Sequence, residues 1–325
     1  MYPTRRMRRL RRREFQPLFV EHETMKHHLV APIFIDESVQ GRREISSMPG
    51  QYRYSPAEVG DVAGMLLEKG IRASILFGVP SEKCEDARTA YTPEGVIQKA
   101  VRSIKDAAPE MVVFTDVCAC EYTPHGHCGI VGETRFGRDL LNDPSLEVMD
   151  RIAVSHAEAG ADIVAPSCML DGAVKSIRHA LDREGFEMTP IMSYSSKFAS
   201  ALYSPFREAA DSCFTFGDRS TYQINPANGR EALLESRLDM AEGADILMVK
   251  PAGYYLDILA SVKELGIPVA VFQVSGEYAM IKAAAANGWI DEKKVVFESL
   301  LCMRRAGADL LITYFAEEAA GWLHG

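Results

Sequence analysis

The sequence contains no run of roughly 20 apolar residues, so it has no segment that would cross a bilayer as a helix. The N-terminus has no apolar stretch of the kind that a secretory signal requires, and the two absences together predict a cytoplasmic location. A Gly-x-Gly-x-x-Gly dinucleotide fingerprint and a phosphate-binding P-loop are also missing. These absences argue against a doubly wound, nucleotide-binding sheet.

The seven cysteines are an odd number in a chain of 325 residues, which argues against a disulfide framework and for free thiols or metal ligands. Hydrophobic residues make up 47% of the chain, charged residues 25%, and the formal net charge is -9. This composition is typical of a globular protein with a large core. Since no linker or low-complexity tract divides the chain, we expect one catalytic domain.

Residues 5–13 are rich in arginine, although the chain as a whole is acidic. Nucleic-acid binding is disfavoured because no aromatic interleaving, zinc-finger spacing or helix-turn-helix pattern accompanies the basic residues. We expect residues 1–28 to form an arm that docks onto a neighbouring subunit of a homo-oligomer. Neither nucleic acid nor a membrane is an expected partner.

Short runs rich in Val, Ile and Leu alternate with longer amphipathic stretches of helical composition, which is typical of a parallel sheet. Three of the runs begin after nearly the same phrase, in which Gly160, Gly243 or Gly307 closes a helix and an Ala-Asp pair follows. Eight such runs predict an α/β fold, a single (β/α)8 barrel over residues 29–325. The runs are 29–35, 71–77, 111–117, 161–167, 190–195, 244–250, 268–275 and 308–315.

Polar residues collect at the carboxyl ends of these strands, where barrel enzymes have their active sites. Lys250 ends the sixth run directly before Pro251, and Lys197 follows the fifth run by two residues. Two ammonium groups at one mouth disfavour each other's protonation, which is one route to a neutral, nucleophilic amine. The other strand-end candidates are Asp116, Ser167, Gln273, Ser275 and Tyr314.

Cys118, Cys120 and Cys128 fall within eleven residues immediately after the third run. Short spacings with Gly and Pro between the thiols allow one segment to wrap a tetrahedral Zn²⁺. The fourth position is open to water or substrate, or it is closed by His125 or His127. Three thiolates would leave the site anionic, which favours binding and orienting a substrate over activating a water.

The stretch from 197 to 230 is long, aromatic and not periodic, as expected of a loop that covers a site. Arg207 and Arg219, with Gln223, have the hydrogen-bonding groups to clamp a substrate carboxylate.

These features together resemble the porphobilinogen synthase family, also called 5-aminolevulinate dehydratases, from about Arg5 onward. The resemblance runs through Ser47-Met48-Pro49-Gly50, Phe77-Gly78-Val79-Pro80, the Cys118 to Gly129 segment, Tyr222-Gln223, Met248-Val249-Lys250-Pro251 and Gln273-Val274-Ser275-Gly276-Glu277-Tyr278. It implies a (β/α)8 barrel with an N-terminal arm, commonly assembled as an octamer. The implied reaction joins two 5-aminolevulinate molecules into porphobilinogen for tetrapyrrole synthesis.

By this resemblance, Lys250 forms a Schiff base with the first substrate and Lys197 with the second. Asp116 would orient an amine or relay a proton. The implied ligands are Cys118, Cys120 and Cys128 for zinc and Glu235 for an allosteric Mg²⁺. The implied substrate contacts are Ser275 and Tyr314 for the first carboxylate, Arg207, Arg219 and Gln223 for the second, and Ser167, Tyr203 and Phe206.

Two rival functions remain open at this point. A class I aldolase-type enzyme would use one Schiff-base lysine, but it leaves Lys197 and the cysteines without a role. A non-enzymatic zinc and nucleic-acid-binding protein would explain the arginines and thiols, but it leaves the strand-end lysines without one.

Overall fold

The computed structural model of the chain describes residues 7–323, so Arg5 and Arg6 of the basic segment lie outside the described residues. Between residues 7 and 28 the backbone forms three short 3-10 turns, at Met7–Leu10, Gln16–Phe19 and Lys26–His28. The first strand then begins at Leu29.

Eight parallel strands form the barrel, in the order β8-β5-β4-β1-β12-β11-β10-β9. A bridge between Val164 and Ile191 joins the two end strands and closes the ring. The strands of the described chain are β1 (Leu29–Asp36), β2 (Arg42–Glu44), β3 (Tyr52–Tyr54), β4 (Ala73–Val79), β5 (Val112–Val117), β6 (Val131–Thr134), β7 (Gly137–Leu140), β8 (Ile163–Pro166), β9 (Met192–Lys197), β10 (Ile246–Lys250), β11 (Val269–Gln273) and β12 (Leu310–Thr313).

Helices lie between the strands and alternate with them along most of the chain. They are α1 (Val59–Glu68), α2 (Val96–Ala107), α3 (Asn142–Glu158), α4 (Ala173–Arg183), α5 (Ser204–Ala209), α6 (Gly229–Glu242), α7 (Leu256–Lys263), α8 (Ser275–Ala286), α9 (Glu292–Arg305) and α10 (Ala316–Trp322). None of the helices in the described chain is both long and apolar enough to span a membrane.

The predicted barrel is confirmed, since each of the eight apolar runs overlaps one barrel strand. The sequence did not predict the antiparallel pairs β2–β3 and β6–β7, because these strands are short, largely polar and partly exposed.

The repeated Gly-Ala-Asp phrase has the same structural role each time. Gly160, Gly243 and Gly307 have φ of 102°, 109° and 114°, the left-handed conformation in which a side chain is strained. The aspartate two residues later accepts a hydrogen bond from a peptide N–H at the start of the neighbouring strand. The three bonds are Val113 N to Asp162 Oδ2, Ile191 N to Asp245 Oδ2 and Val269 N to Asp309 Oδ2, at 2.7, 2.8 and 2.8 Å. Each phrase therefore ends a helix and fixes the register of two strands.

One strand boundary differs from the sequence prediction in a way that matters for the site. Lys197 is the last residue of β9 and does not lie beyond the strand. The register between β9 and β10 shifts within β9, where Ser193 pairs with Leu247 but Ser196 pairs with Val249. An extra residue in one strand reverses the side-chain alternation beyond it. The bulge lengthens β9 and pairs Lys197 with Lys250.

An aromatic layer fills the barrel near its mouth. Phe34, Phe77, Phe272 and Tyr314 contribute from β1, β4, β11 and the residue after β12, with ring centroids 5.6 to 6.1 Å apart. Edge-to-face and offset contacts at such distances stabilise aromatic clusters beyond their burial. The layer forms an apolar floor below the strand ends.

Candidate active site

The two lysines lie side by side because the bulge places them in register at the carboxyl ends of β9 and β10. Each is only 5% exposed. A buried ammonium group is unusual unless neighbouring groups stabilise its charge. The surroundings of the two amines differ strongly.

Aromatic rings surround the amine of Lys250. Its Nζ lies 4.0 Å from the ring centroid of Phe272, 4.9 Å from that of Tyr194 and 5.1 Å from that of Phe206. No side chain or carbonyl of the described residues accepts a hydrogen bond from it. Burial, and then the charge of Lys197, lower the pKa of Lys250 to about 7. A large fraction of this amine is therefore neutral near pH 7.

The amine of Lys197 is held by polar groups. Its Nζ donates a 2.5 Å hydrogen bond to the carbonyl oxygen of Ser167. Burial opposes its charge, but the negative charge of the cysteine group, Cys128 foremost, together with Asp116, raises the pKa of Lys197 above its usual value. This lysine is therefore the cation of the pair.

Asp116 lies one residue before the end of β5, and its Oδ2 accepts a 3.1 Å hydrogen bond from the hydroxyl of Ser167. Its Oδ1 is buried and has no partner among the described residues. Burial raises the pKa of Asp116, and the charges of Lys197 and Lys250 oppose that rise. Ser167 therefore contacts Asp116 through its hydroxyl and Lys197 through its carbonyl.

The sulfur atoms of Cys118, Cys120 and Cys128 are buried and lie within 4.8 Å of one another. With Zn–S bonds of 2.3 Å, tetrahedral zinc needs sulfurs about 3.8 Å apart, so this donor set fits the ion after small adjustments. Neither predicted histidine belongs to this group. His127 uses Nδ1 for Tyr222 Oη and Nε2 for Phe216 O, while His125 Nδ1 accepts from the His127 peptide N–H. Both ring nitrogens of His127 are therefore engaged, whereas the buried Nε2 of His125 has no hydrogen-bond partner among the described residues.

The stretch after β9 lies over the barrel mouth, and we call residues 198–228 the lid. It contains a 3-10 turn at Ala201–Tyr203 and helix α5, which its aperiodic sequence did not predict because both elements are very short. Phe206 of α5 reaches the aromatic layer, 5.1 Å from the ring of Phe77. The hydroxyl of Tyr203 donates to the carbonyl oxygen of Lys250 at 3.2 Å. Both residues attach the lid directly to the neighbourhood of Lys250.

The three predicted carboxylate-binding residues of the lid differ in their burial and in their hydrogen bonds. Arg219 is buried and donates to the carbonyl oxygens of Gly126 and Ser212, so it also ties the lid to the cysteine loop. Arg207 is half-buried, with its guanidinium 4.8 Å from the ring centroid of Phe214. The buried side-chain amide of Gln223 has no partner for either polar atom among the described residues. Arg207 and Gln223 are therefore more available to a ligand than Arg219.

Ser275 does not end a strand, as the sequence suggested, but is the first residue of α8. The strand ends earlier, at Gln273, whose side-chain oxygen accepts from Thr313 Oγ1 at 2.6 Å. The Ser275 hydroxyl accepts from Phe206 N at 2.9 Å and donates to Leu202 O at 3.3 Å. The Tyr314 hydroxyl is buried and has no partner among the described residues.

Glu235 makes no hydrogen bond with either lysine, although it lines the same cavity as Gln223 of the lid. It lies half-buried on α6, where burial, and then the neighbouring charges of Asp239 and Asp171, raise its pKa. It lines a surface cavity of about 460 Å³ together with Asp139, Asp171 and Glu231. This acidic setting is separate from the group formed by the three cysteines.

Two buried residues of the site were missed by the sequence reasoning. Tyr194 of β9 lies below both lysines, and the only signal for it was one large aromatic side chain in a strand rich in serine. Glu121 follows Cys120, and its Oε2 accepts from the Cys120 thiol at 3.2 Å. Burial, and then the charge of Asp116, raise the pKa of Glu121 to about 7. A lone glutamate in a loop gave no sequence signal.

Comparison with known proteins gives a consistent result over the whole chain. A family model described as Delta-aminolevulinic acid dehydratase matches residues 4–322. The proteins of that name from Synechococcus elongatus and Archaeoglobus fulgidus are 51% and 52% identical, covering 99% and 98% of this chain and 100% and 98% of their own lengths. The solved structure of the Toxoplasma gondii enzyme with porphobilinogen bound has a TM-score of 0.95 at 41% identity, covering 99% of this chain and 92% of that one. The chain therefore belongs to the delta-aminolevulinic acid dehydratase family.

Proposed function

We propose that this chain condenses two molecules of 5-aminolevulinate into porphobilinogen with loss of two waters, a step of tetrapyrrole synthesis. Family membership supports the reaction. The observation that carries it is the pair of buried lysines in register at one barrel mouth. The substrate is a ketone, and activating two ketones as imines requires two amines.

The two lysines would act in turn, because the amine of Lys250 is neutral and that of Lys197 is charged. The neutral amine of Lys250 attacks the ketone carbon of the first substrate, and the carbinolamine loses water to give an imine. Lys197, which must first release a proton, forms the second imine in the same way. Each imine makes its carbon more electrophilic and the neighbouring C–H more acidic. One C–C and one C–N bond then join the two substrates, and the two lysines leave as free amines. The two waters lost in forming the imines are the only ones released, and they carry away both ketone oxygens.

The groups around the lysines suit the remaining parts of the substrates. Ser275 and Tyr314 would bind the carboxylate of the first substrate, and Arg207, Arg219 and Gln223 that of the second. The aromatic side chains of Tyr203 and Phe206 would exclude water from the imine at Lys250. Ser167 would hold Lys197 and Asp116 together, and Asp116 would relay protons or orient an amine.

Cys118, Cys120 and Cys128 would hold Zn²⁺, because three buried thiols at this separation are a donor set that zinc prefers. When bound, the ion would supply a Lewis-acidic position that orients a substrate amine or carbonyl. Placed next to Lys197, the metal loop would serve the second substrate rather than the first.

The test is to incubate reduced, zinc-loaded protein with 5-aminolevulinate and to detect porphobilinogen by mass and by its pyrrole colour reaction. Catalytic turnover is the expected result. Folded, metallated protein that gives no product would contradict the proposal. The aldolase-type alternative predicts a borohydride-trapped adduct at one lysine only under saturating substrate, whereas the proposed reaction predicts adducts at both.

We further propose a homo-oligomer, an octamer by family resemblance, in which the arm contacts a neighbouring subunit. Phe15, Leu18, Phe19 and Val20 of the arm are 40 to 75% exposed in the single chain, and apolar surface of this kind is typical of an interface. Deleting residues 1–20, which removes these side chains, should change the sedimentation profile, and an unchanged profile would contradict the role of the arm. A cytoplasmic location and the absence of nucleic-acid and membrane partners stay predictions.

A further inference from the structure

A buried glutamate that neither contacts a lysine nor belongs to the metal loop joins two loops at the barrel mouth. Glu277 lies in the first turn of α8 and is 6% exposed. Its Oε2 accepts a 2.7 Å hydrogen bond from the peptide N–H of Val274. This bond alone would be ordinary helix capping, in which an acidic residue bonds a free N–H at the helix start.

The second oxygen of Glu277 bonds a different part of the chain. Oε1 accepts a 2.6 Å hydrogen bond from the peptide N–H of Gly253, three residues after Lys250. The carboxylate therefore links the loop that leaves β10 to the loop that leaves β11. The other partner, Val274, directly precedes Ser275. The two hydrogen bonds of Glu277, which we call the clamp, therefore lie close in sequence to Lys250 on one side and to Ser275 on the other.

We propose that Glu277 is a positioning residue that fixes the distance between Lys250 and Ser275, so that one keto acid reaches Lys250 with its ketone and Ser275 with its carboxylate at the same time. The proposal rests on the proposed function, in which Lys250 takes the ketone and Ser275 the carboxylate of one molecule. Burial makes the link rigid, since a carboxylate away from water is stabilised only while both N–H groups point at it.

Gly253 provides independent support. A Cβ atom at this position would lie 2.5 Å from Glu277 Oε1, closer than non-bonded atoms approach. Gly253 does not have positive φ, so its backbone conformation does not itself require glycine. The space that glycine leaves is instead filled by the clamping carboxylate.

The experiment compares borohydride trapping at Lys250 of two ketones of equal chain length. One is 4-oxopentanoate, the substrate without its amino group, and the other is 2-pentanone, which lacks the carboxylate. Wild-type protein should trap the acid much faster than the neutral ketone, because only the acid uses both ends of the site. In Glu277→Gln the ratio of the two rates should fall about tenfold or more, since an amide has one acceptor and turns an NH₂ group toward the other N–H.

A general loss of structure would slow both ketones and leave their ratio unchanged. Gly253→Ala should lower the ratio as Glu277→Gln does, because it displaces the same carboxylate from the other side. Glu292→Gln is the matched control, since Glu292 is also a first-turn glutamate and its partner Lys282 keeps a second bond to Glu318. An unchanged ratio in both clamp variants would overturn the inference. If the wild-type protein formed no adduct at Lys250, the proposed function itself would fail.

Discussion

Lys250 and Lys197 are neighbours across one strand pair, yet their surroundings are opposite in character. The amine of Lys250 lies among the rings of Phe272, Tyr194 and Phe206, and burial lowers its pKa to about 7. The amine of Lys197 donates to Ser167 O, and the negative charge of the cysteine group, Cys128 foremost, raises its pKa against the effect of burial.

The difference shows how one barrel mouth can hold two amines without holding two buried charges. Lys197 has a carbonyl hydrogen-bond partner and the nearby charge of Cys128 to stabilise its cation, and that cation in turn disfavours protonation of Lys250. The neutral amine is ready to attack a ketone first. The order in which the substrates bind would then follow from the electrostatics of the pair.

The largest effect is expected from removing the neutral amine. Lys250→Ala should lower kcat roughly a thousandfold or more, because no other group at the mouth is a neutral nucleophile. Porphobilinogen formation and the borohydride-trapped adduct should both be measured. Lys175→Ala, which removes an exposed lysine on α4, is the control. Substantial turnover by the Lys250 variant would mean that the contrast between the two lysines has no catalytic meaning.

The next largest effect is expected from removing the metal, or one of its proposed cysteine ligands, beside Lys197. Chelation, or Cys128→Ser, should lower activity about a hundredfold or more, since bound zinc supplies several kcal/mol of stabilisation. Zinc should restore the chelated wild-type protein but not the variant. Elemental analysis should show less metal per chain for Cys128→Ser, while Cys302→Ser on α9 keeps full zinc content. Activity indifferent to chelators would put the metal assignment in doubt.

Arg207→Met should separate the two substrate sites. Loss of a charged hydrogen-bonding group for the second carboxylate should raise KM for 5-aminolevulinate roughly 10- to 100-fold. Trapping of 4-oxopentanoate at Lys250 should change little, because the proposed carboxylate contacts of that site are Ser275 and Tyr314. The control is Arg138→Met, since Arg138 lies over Phe216 of the same lid but is exposed. If Arg207→Met raised KM and slowed trapping at Lys250 to the same extent, Arg207 would instead order the whole lid.

The electrostatic coupling is tested directly by Lys197→Met. The charge of Lys197 lowers the pKa of Lys250, while Asp116, Cys120 and Glu121 act in the opposite direction. Its removal should therefore raise the pKa of Lys250 above about 7, on the order of one unit. Borohydride trapping of 4-oxopentanoate at Lys250, followed against pH, should need a higher pH in the variant and be about fivefold slower at pH 7. An unchanged pH profile would show that burial alone lowers this pKa.

The sequence predicted the barrel because its strands are apolar runs and its turns repeat a Gly-Ala-Asp phrase, and both signals are local. It could not predict the pairing of Lys197 with Lys250, because a bulge in β9 reverses the side-chain alternation. It also could not predict the clamp by Glu277 or the burial of Glu121. These depend on contacts between residues that are distant along the chain or on the packing around a loop, and a single sequence does not display either.

The smallest effect is expected at Glu235 on α6, which extends the comparison of the two lysines to a third titratable group. Burial raises the pKa of Glu235, and its neighbours Asp239 and Asp171 add negative charge rather than offset it. A divalent cation would relieve that repulsion, and Mg²⁺ commonly binds through one or two carboxylates while it keeps several waters. We therefore expect added Mg²⁺ to increase activity by a factor below about ten, as for a modest allosteric coupling energy, and Glu235→Gln to abolish that increment. The measurement is a Mg²⁺ titration of turnover, with Glu298→Gln on α9 as the control for the loss of one carboxylate. A variant that still responds to Mg²⁺ would assign the effect to another site.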